Sequence, residues 1–272
     1  MLNALRSEIF RVTRRPMPLI LLGVVAGVIA LLYLLLWLSL EGAQDVITAD
    51  EAGQIEEMLA LSEVAVGGGG LVYLVAAIMA VILGASIIAT EYNWGTIRTI
   101  LPRTAGRAAF LSAKLVTLLG FTLVAVLVGF AAAFASAAIV STIADLDRTL
   151  GGDFAVDLVR SIGAAFAVIL PYVALSFMVG MLARSTAAGV GLGLAVFFLE
   201  GQLIQLISAA GGIVETATEF LLAPNVNAVL AVATDTPADI AAWRGLLVLA
   251  VYTATFLAIA FWRFERRDVV AG

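Results

Sequence analysis

Two places in this sequence set the chemistry the chain can do. Glu200 stands 14th in an apolar run of 21 residues, 187–207, where an ionisable side chain is costly unless it faces a partner or water. Such an acid is either a contact for a proton or substrate in a pathway, or a hydrogen-bonding structural group. The second place is the stretch 91–114, where Glu91, Arg98, Arg103, Arg107 and Lys114 are interleaved with Trp94, Ile97 and Leu101. Exposed aromatic and aliphatic surface beside arginine is the composition of a protein docking site. A helix lying on a membrane surface with its Trp at the headgroups is the alternative reading. The chain has no His and no Cys, which excludes an imidazole base, a His-ligated zinc, a thiolate site and a disulfide framework. With no nucleophile beside a base and no metal-ligating cluster, no catalytic, cofactor or metal residues are assigned, and the chain is not expected to be an enzyme by itself.

The elements that must carry these residues follow from hydropathy. Of the 272 residues, 62% are apolar and 13% charged, against roughly 45–50% and 25% in soluble domains. Too few polar residues remain to cover such a core, so a bilayer must cover it. Runs of about 20 apolar residues, the length that crosses a hydrocarbon layer, lie at 18–40, 71–90, 115–143, 161–182, 187–207 and 245–262. The predicted fold is an all-α integral membrane protein with six transmembrane helices. The third run exceeds what a bilayer needs and should tilt or project. The sixth is bounded by Trp243 and Trp262, residues suited to the interface.

Basic residues assign the sides. With the N-terminus cytoplasmic, the inner segments hold twelve of the 15 cations, and only Arg148, Arg160 and Arg244 fall outside. Fifteen of the 20 acids then lie in the outer connections, four lie inside, and Glu200 is within a span. The positive-inside rule therefore places both termini in the cytoplasm. The acidic outer loops either solvate a hydrophobic protein, the reading favoured, or bind cations.

The connections have their own patterns. Over residues 1–16, Leu2, Leu5, Ile9 and Val12 recur at helical spacing with Arg6, Glu8, Arg11 and Arg14 between them, and Pro16 and Pro18 follow. That predicts an N-terminal interfacial helix and then a bend. In the first outer loop, Ile55, Met58 and Leu59 predict a short amphipathic helix, and the run of four glycines, 67–70, a flexible joint. The connection 208–244 is long and too apolar for an exposed loop, so it either re-enters the outer leaflet or packs as a lid. In 91–114, Asn93 is placed to cap a short helix that Pro102 ends. Within the fifth span, Gly189, Gly193, Val196 and Glu200 share one face, which turns the acid toward the bundle or a dimer interface. Gly23 and Gly27 make a small-residue packing pair on the first span.

The ordered set Glu91, Gly95, Thr96, Arg98, Leu101, Pro102, Arg107, Lys114 resembles the corresponding loop of the membrane permeases of the ABC type-2 exporter superfamily. The likeness runs the length of the chain: a basic interfacial helix, six spans, a short turn at 183–186, a re-entrant outer segment before the last span, and a basic ending with Arg266, Arg267 and Asp268. It implies a single transmembrane domain over 1–272 whose 91–101 segment is a cytoplasmic coupling helix, with Glu91, Trp94, Gly95, Thr96, Ile97, Arg98 and Leu101 as its contacts to a separate ABC ATPase subunit. It further implies two ATPase copies, ATP and Mg held by that partner, a second permease copy or a paralogue, a lipid setting in the inner (plasma) membrane and no role for nucleic acid. A phosphate-binding Gly-x-x-x-x-Gly-Lys-Ser/Thr loop is absent, since the single lysine, Lys114, is followed by Leu115. The cargo expected is hydrophobic, lipid-like, drug-like or peptidic. The rival from another class is a proton-coupled secondary transporter using Glu200, which should show repeated halves with broken helices; no such repeat is evident.

Overall fold

The computed structural model describes residues 2–42, 48–96, 106–146, 148–208, 217–234 and 236–266. Every regular element among them is helical: α1 Leu2–Arg14, α2 Pro16–Gly42, α3 Ala49–Leu59, α4 Gly68–Asn93, α5 Arg107–Ile143, α6 Phe154–Ala183, α7 Thr186–Ser208, α8 Leu222–Ala233 and α9 Ala242–Arg266, with one 3₁₀ turn at Leu61–Glu63. Six of these, α2, α4, α5, α6, α7 and α9, are long and apolar enough to cross a membrane. They match the six runs expected from hydropathy, and each extends a few residues beyond its run. The chain is therefore described as a multi-pass membrane protein.

Local chemistry sets the ends. Arg15 alone separates α1 from α2, because Pro16 has no N–H to continue the first helix yet suits the first turn of the second. Thr48 and Glu51 form a reciprocal capping box at the start of α3. Gly95, at φ +66°, and Gly106, at φ +134°, bracket the segment between α4 and α5 in conformations that disfavour a side chain. α5 has 37 residues, roughly 55 Å at 1.5 Å per residue, so it outreaches a hydrocarbon layer of about 30 Å. Pro171 lies inside α6, and α6 ends where Arg184 takes a left-handed conformation at φ +53°, turning the chain directly into α7.

α4 and α6 form the centre. Of the apolar stretch of α4, 67% is buried, against 11% for α7. The close approach depends on small residues. A Cβ on Gly180 of α6 would lie 2.8 Å from the Ala85 carbonyl oxygen of α4, and one on Gly189 of α7 would lie 2.8 Å from the Ser176 carbonyl oxygen of α6. Gly193 would meet Val81 of α4 at 2.7 Å. The shared face of Gly189 and Gly193 is thus a packing face turned inward, as expected.

Three expectations need correction. Gly68, Gly69 and Gly70 are no flexible joint but the first turn of α4, and a Cβ on Gly68 would sit 3.1 Å from the Tyr33 hydroxyl of α2; close packing, not mobility, calls for glycine there. The pair Gly23 and Gly27 packs on nothing among the described residues, with no atom within 4 Å of a Cβ at either position. Asn93 does not begin a helix: it is the last residue of α4, whose cap is Trp94, with the Trp94 N–H bonded to Thr90 O and the Gly95 N–H to Tyr92 O. α4 continues to Asn93 because the left-handed residue that can stop it, Gly95, comes only two positions later.

Candidate functional site

At one end of the bundle the ends of five helices meet around a buried ionic cluster. Lys114, two turns into α5, is fully buried. Its Nζ lies 2.8 Å from Glu8 Oε1 of α1 and 3.3 Å from Glu91 Oε1 at the end of α4. Glu91, also fully buried, takes a second cationic partner in Arg15 Nη2 at 3.3 Å and accepts a hydrogen bond from the Thr96 hydroxyl. Glu8 pairs in addition with Arg11 at 3.6 Å. Each carboxylate therefore meets at least two cationic groups, the condition under which buried charge is tolerated.

Aromatic contacts extend the cluster. Lys114 lies over the Phe110 ring at 5.1 Å, and Phe110 stacks on Phe264 of α9 at 6.0 Å. Arg107 Nη1 donates to the Glu265 carbonyl at 2.9 Å, tying the start of α5 to the last turn of α9. Arg184, from the α6–α7 turn, lies over Tyr92 at 5.3 Å. Above this base stands Trp94, 66% exposed, with the Arg15 guanidinium 5.2 Å from its ring. Arg15 thus touches a buried carboxylate on one side and the exposed indole on the other. Moving one segment away from the cluster would leave a buried charge unpaired, a cost of about 3–5 kcal/mol. α1, the start of α2, the end of α4 and the start of α5 are therefore constrained to move as a unit with Trp94.

The residues expected at this site divide. Trp94 and Gly95 are exposed, and Thr96 is half-buried. Glu91 is placed beneath the surface as a support, not on it as a contact. Ile97, Arg98 and Leu101, like Pro102, Arg103, Arg267 and Asp268, lie outside the described residues. Sequence reasoning missed Glu8, which the apolar spacing of α1 assigned to the polar side. It is turned inward and is 4% exposed, whereas Ile9 and Phe10 are 46% and 61% exposed. The signal was available: the single lysine and Glu91 both sit at the edge of long apolar runs, where each charge needs a partner.

At the opposite end, Glu200 supplies a cap in trans. Its Oε1 accepts the Leu222 N–H at 2.7 Å, a first-turn donor of α8 that Leu221 provides no side chain to satisfy. Glu200 Oε2 is buried without a hydrogen-bond partner among the described residues. The corner before α8 is pinned from α9 as well: Arg244 Nη2 lies 2.9 Å from Glu219 Oε2, and its guanidinium lies 5.1 Å from the Phe220 ring. Asn225 Nδ2 donates to the Glu219 and Leu221 carbonyls at 2.7 and 2.6 Å. α8, at 12 residues, is too short to cross a bilayer and packs against α6 and α9. Of the connection 208–244, residues 209–216 and 235 lie outside the described residues.

Among curated proteins, none matches the chain. A family model does match, over residues 57–270, from the last turn of α3 onward. The chain belongs to that family, described as Protein of unknown function (DUF2705).

Proposed function

We propose that this chain is the permease subunit of an ATP-driven ABC exporter. It forms half of a transmembrane pathway as a dimer, with a second copy or a paralogous permease, in the inner (plasma) membrane. The ATPase subunits are separate chains that bind ATP and Mg, and they dock on the coupling segment 91–101, in a cytoplasm that also holds both termini. The cargo is hydrophobic, lipid-like, drug-like or peptidic.

The observation that carries this reading is the placement of Trp94. An exposed indole is held by Arg15 over Glu91 and Lys114, at the point where four chain segments are joined by buried charge. A force applied to that corner reaches α1, α2, α4 and α5 together, which is what a coupling element requires. The order of Glu91, Gly95, Thr96, Arg98, Pro102, Arg107 and Lys114 supports the same assignment through its resemblance to type-2 permeases.

Co-expression with candidate ATP-hydrolysing subunits of the same genome tests it, through co-purification and ATP turnover in reconstituted lipid. The wild-type chain is expected to associate and to change turnover, and the variant carrying Trp94→Ala and Arg98→Glu to lose both while its helical content stays intact. If a correctly folded wild-type chain neither binds any of these subunits nor alters their turnover, the reading fails.

A further inference from the structure

At the same end of the bundle as the cluster, the last turns of α9 meet the end of α6 in an open groove of about 520 Å³ lined by Leu182, Ile259, Trp262 and Arg263. The volume lies within the range of small-ligand clefts. Trp262 is 48% exposed. Two guanidinium groups attend its ring, Arg263 at 5.1 Å and Arg266 at 4.9 Å from the centroid. Among the described residues neither arginine has a carboxylate within ion-pair distance.

The dipole of α9 favours cations in its last turn, but it does not neutralise them, and the Glu265 carbonyl in that turn is already bonded to Arg107. Among the described residues, two positive groups are held by one indole beside an apolar groove with no anion between them. We propose that the groove binds an anionic phospholipid, with its phosphate between Arg263 and Arg266 and an acyl chain along Leu182, Ile259 and the Trp262 ring. Guanidinium groups are suited to phosphate oxygens. The indole suits the depth at which headgroup gives way to hydrocarbon. A zwitterionic lipid carries its own cation to the same place, so the two arginines favour a headgroup with net negative charge. Charge complementarity selects lipid over a basic protein surface. The inference is independent of the exporter reading, since it needs only a membrane-embedded chain.

The test uses the full chain in phosphatidylcholine nanodiscs that contain a small fraction of brominated-acyl lipid, either phosphatidylglycerol or phosphatidylcholine. The emission of Trp262 is taken as the difference between wild type and Trp262→Phe. Brominated phosphatidylglycerol is expected to quench it at a mole fraction on the order of tenfold lower than brominated phosphatidylcholine. The double variant Arg263→Gln, Arg266→Gln should lose that preference with its helical circular dichroism unchanged, and Arg263→Lys, Arg266→Lys should keep most of it. Equal quenching by the two lipids would overturn the proposal, as would a preference that survives the double glutamine variant. Quenching by neither lipid would mean that protein covers the groove, which overturns it equally.

Discussion

Lys114 is fully buried, and it is held by Glu8 and Glu91 at 2.8 and 3.3 Å. Removing it alone is worse than removing the whole set, because the remaining carboxylates lose a compensating charge inside a low-dielectric region. Lys114→Met is expected to lower stability by about 3–5 kcal/mol, read as a fall in the unfolding midpoint of the detergent-solubilised chain. Adding Glu8→Gln and Glu91→Gln to that variant should recover most of the loss. A Lys114→Met chain as stable as wild type would show that the cluster contributes nothing to holding α1 on α5. At this scale, sequence picked out Glu91 and Lys114 as members of an ordered loop, but it did not pair them. Their separation of 23 residues says nothing of distance until α4 and α5 lie side by side. Glu8 was hidden for a related reason: on an isolated α1 it falls among the arginines, and only contact with α5 turns its face inward.

Elements in this chain are shaped as much by the absence of side chains as by their presence. Gly180 has the Ala85 carbonyl oxygen 2.8 Å from where a Cβ would be, while Gly27 has nothing within 4 Å. Gly180→Ala should force α6 from α4 and cost about 1–3 kcal/mol, in the manner of an overpacked core. Gly27→Ala should be neutral or gain up to about 1 kcal/mol from helix propensity. Parallel thermal unfolding of the two variants checks the contrast, which disappears if the α4–α6 contact is loose. α3 offers a pH-dependent case. The Glu51 carboxylate is held below its ordinary range first by the Thr48 backbone N–H and then by the Thr48 hydroxyl. A depressed acid stabilises the fold above its unfolded value, and that contribution is lost as pH falls through the folded value. Amide exchange in α3, corrected for the intrinsic effect of pH, should therefore speed up as the solution is acidified from neutral; Glu51→Gln should remove most of that dependence, and Thr48→Ala, which keeps the backbone N–H, only the smaller part due to the hydroxyl. The Ile55, Met58 and Leu59 spacing announced α3, whereas the four glycines at 67–70 misled, since a glycine run reads as a joint unless the packing around it is known.

Across the whole molecule, six long apolar helices return the chain to the end at which it began, and contacts between α5 and the end of α9 join those ends. From the distribution of arginine we propose that this end is cytoplasmic. Because the chain has no native cysteine, single-cysteine variants give a clean check. In intact cells a membrane-impermeant maleimide should label Gly53→Cys in α3 and leave Trp94→Cys unlabelled until the membrane is permeabilised. Labelling in the reverse order would invert the orientation and remove the coupling surface from any cytoplasmic ATPase.

The number of spans, the short turn between α6 and α7 and the amphipathic helices α1 and α3 were all determined by the sequence, because hydropathy and capping act over one helix at a time. Tertiary structure alone decided which helices form the centre, that Glu91 supports the loop from below, that Glu8 joins it, and that Glu200 caps a helix two dozen residues away in the chain. These are relations between helices, and in a chain apolar on nearly every face, the pattern of one helix does not reveal which side meets a neighbour and which meets lipid. The exceptions were charges and glycines: a charge demands a partner and a glycine permits close approach, but only the packed bundle names the partner.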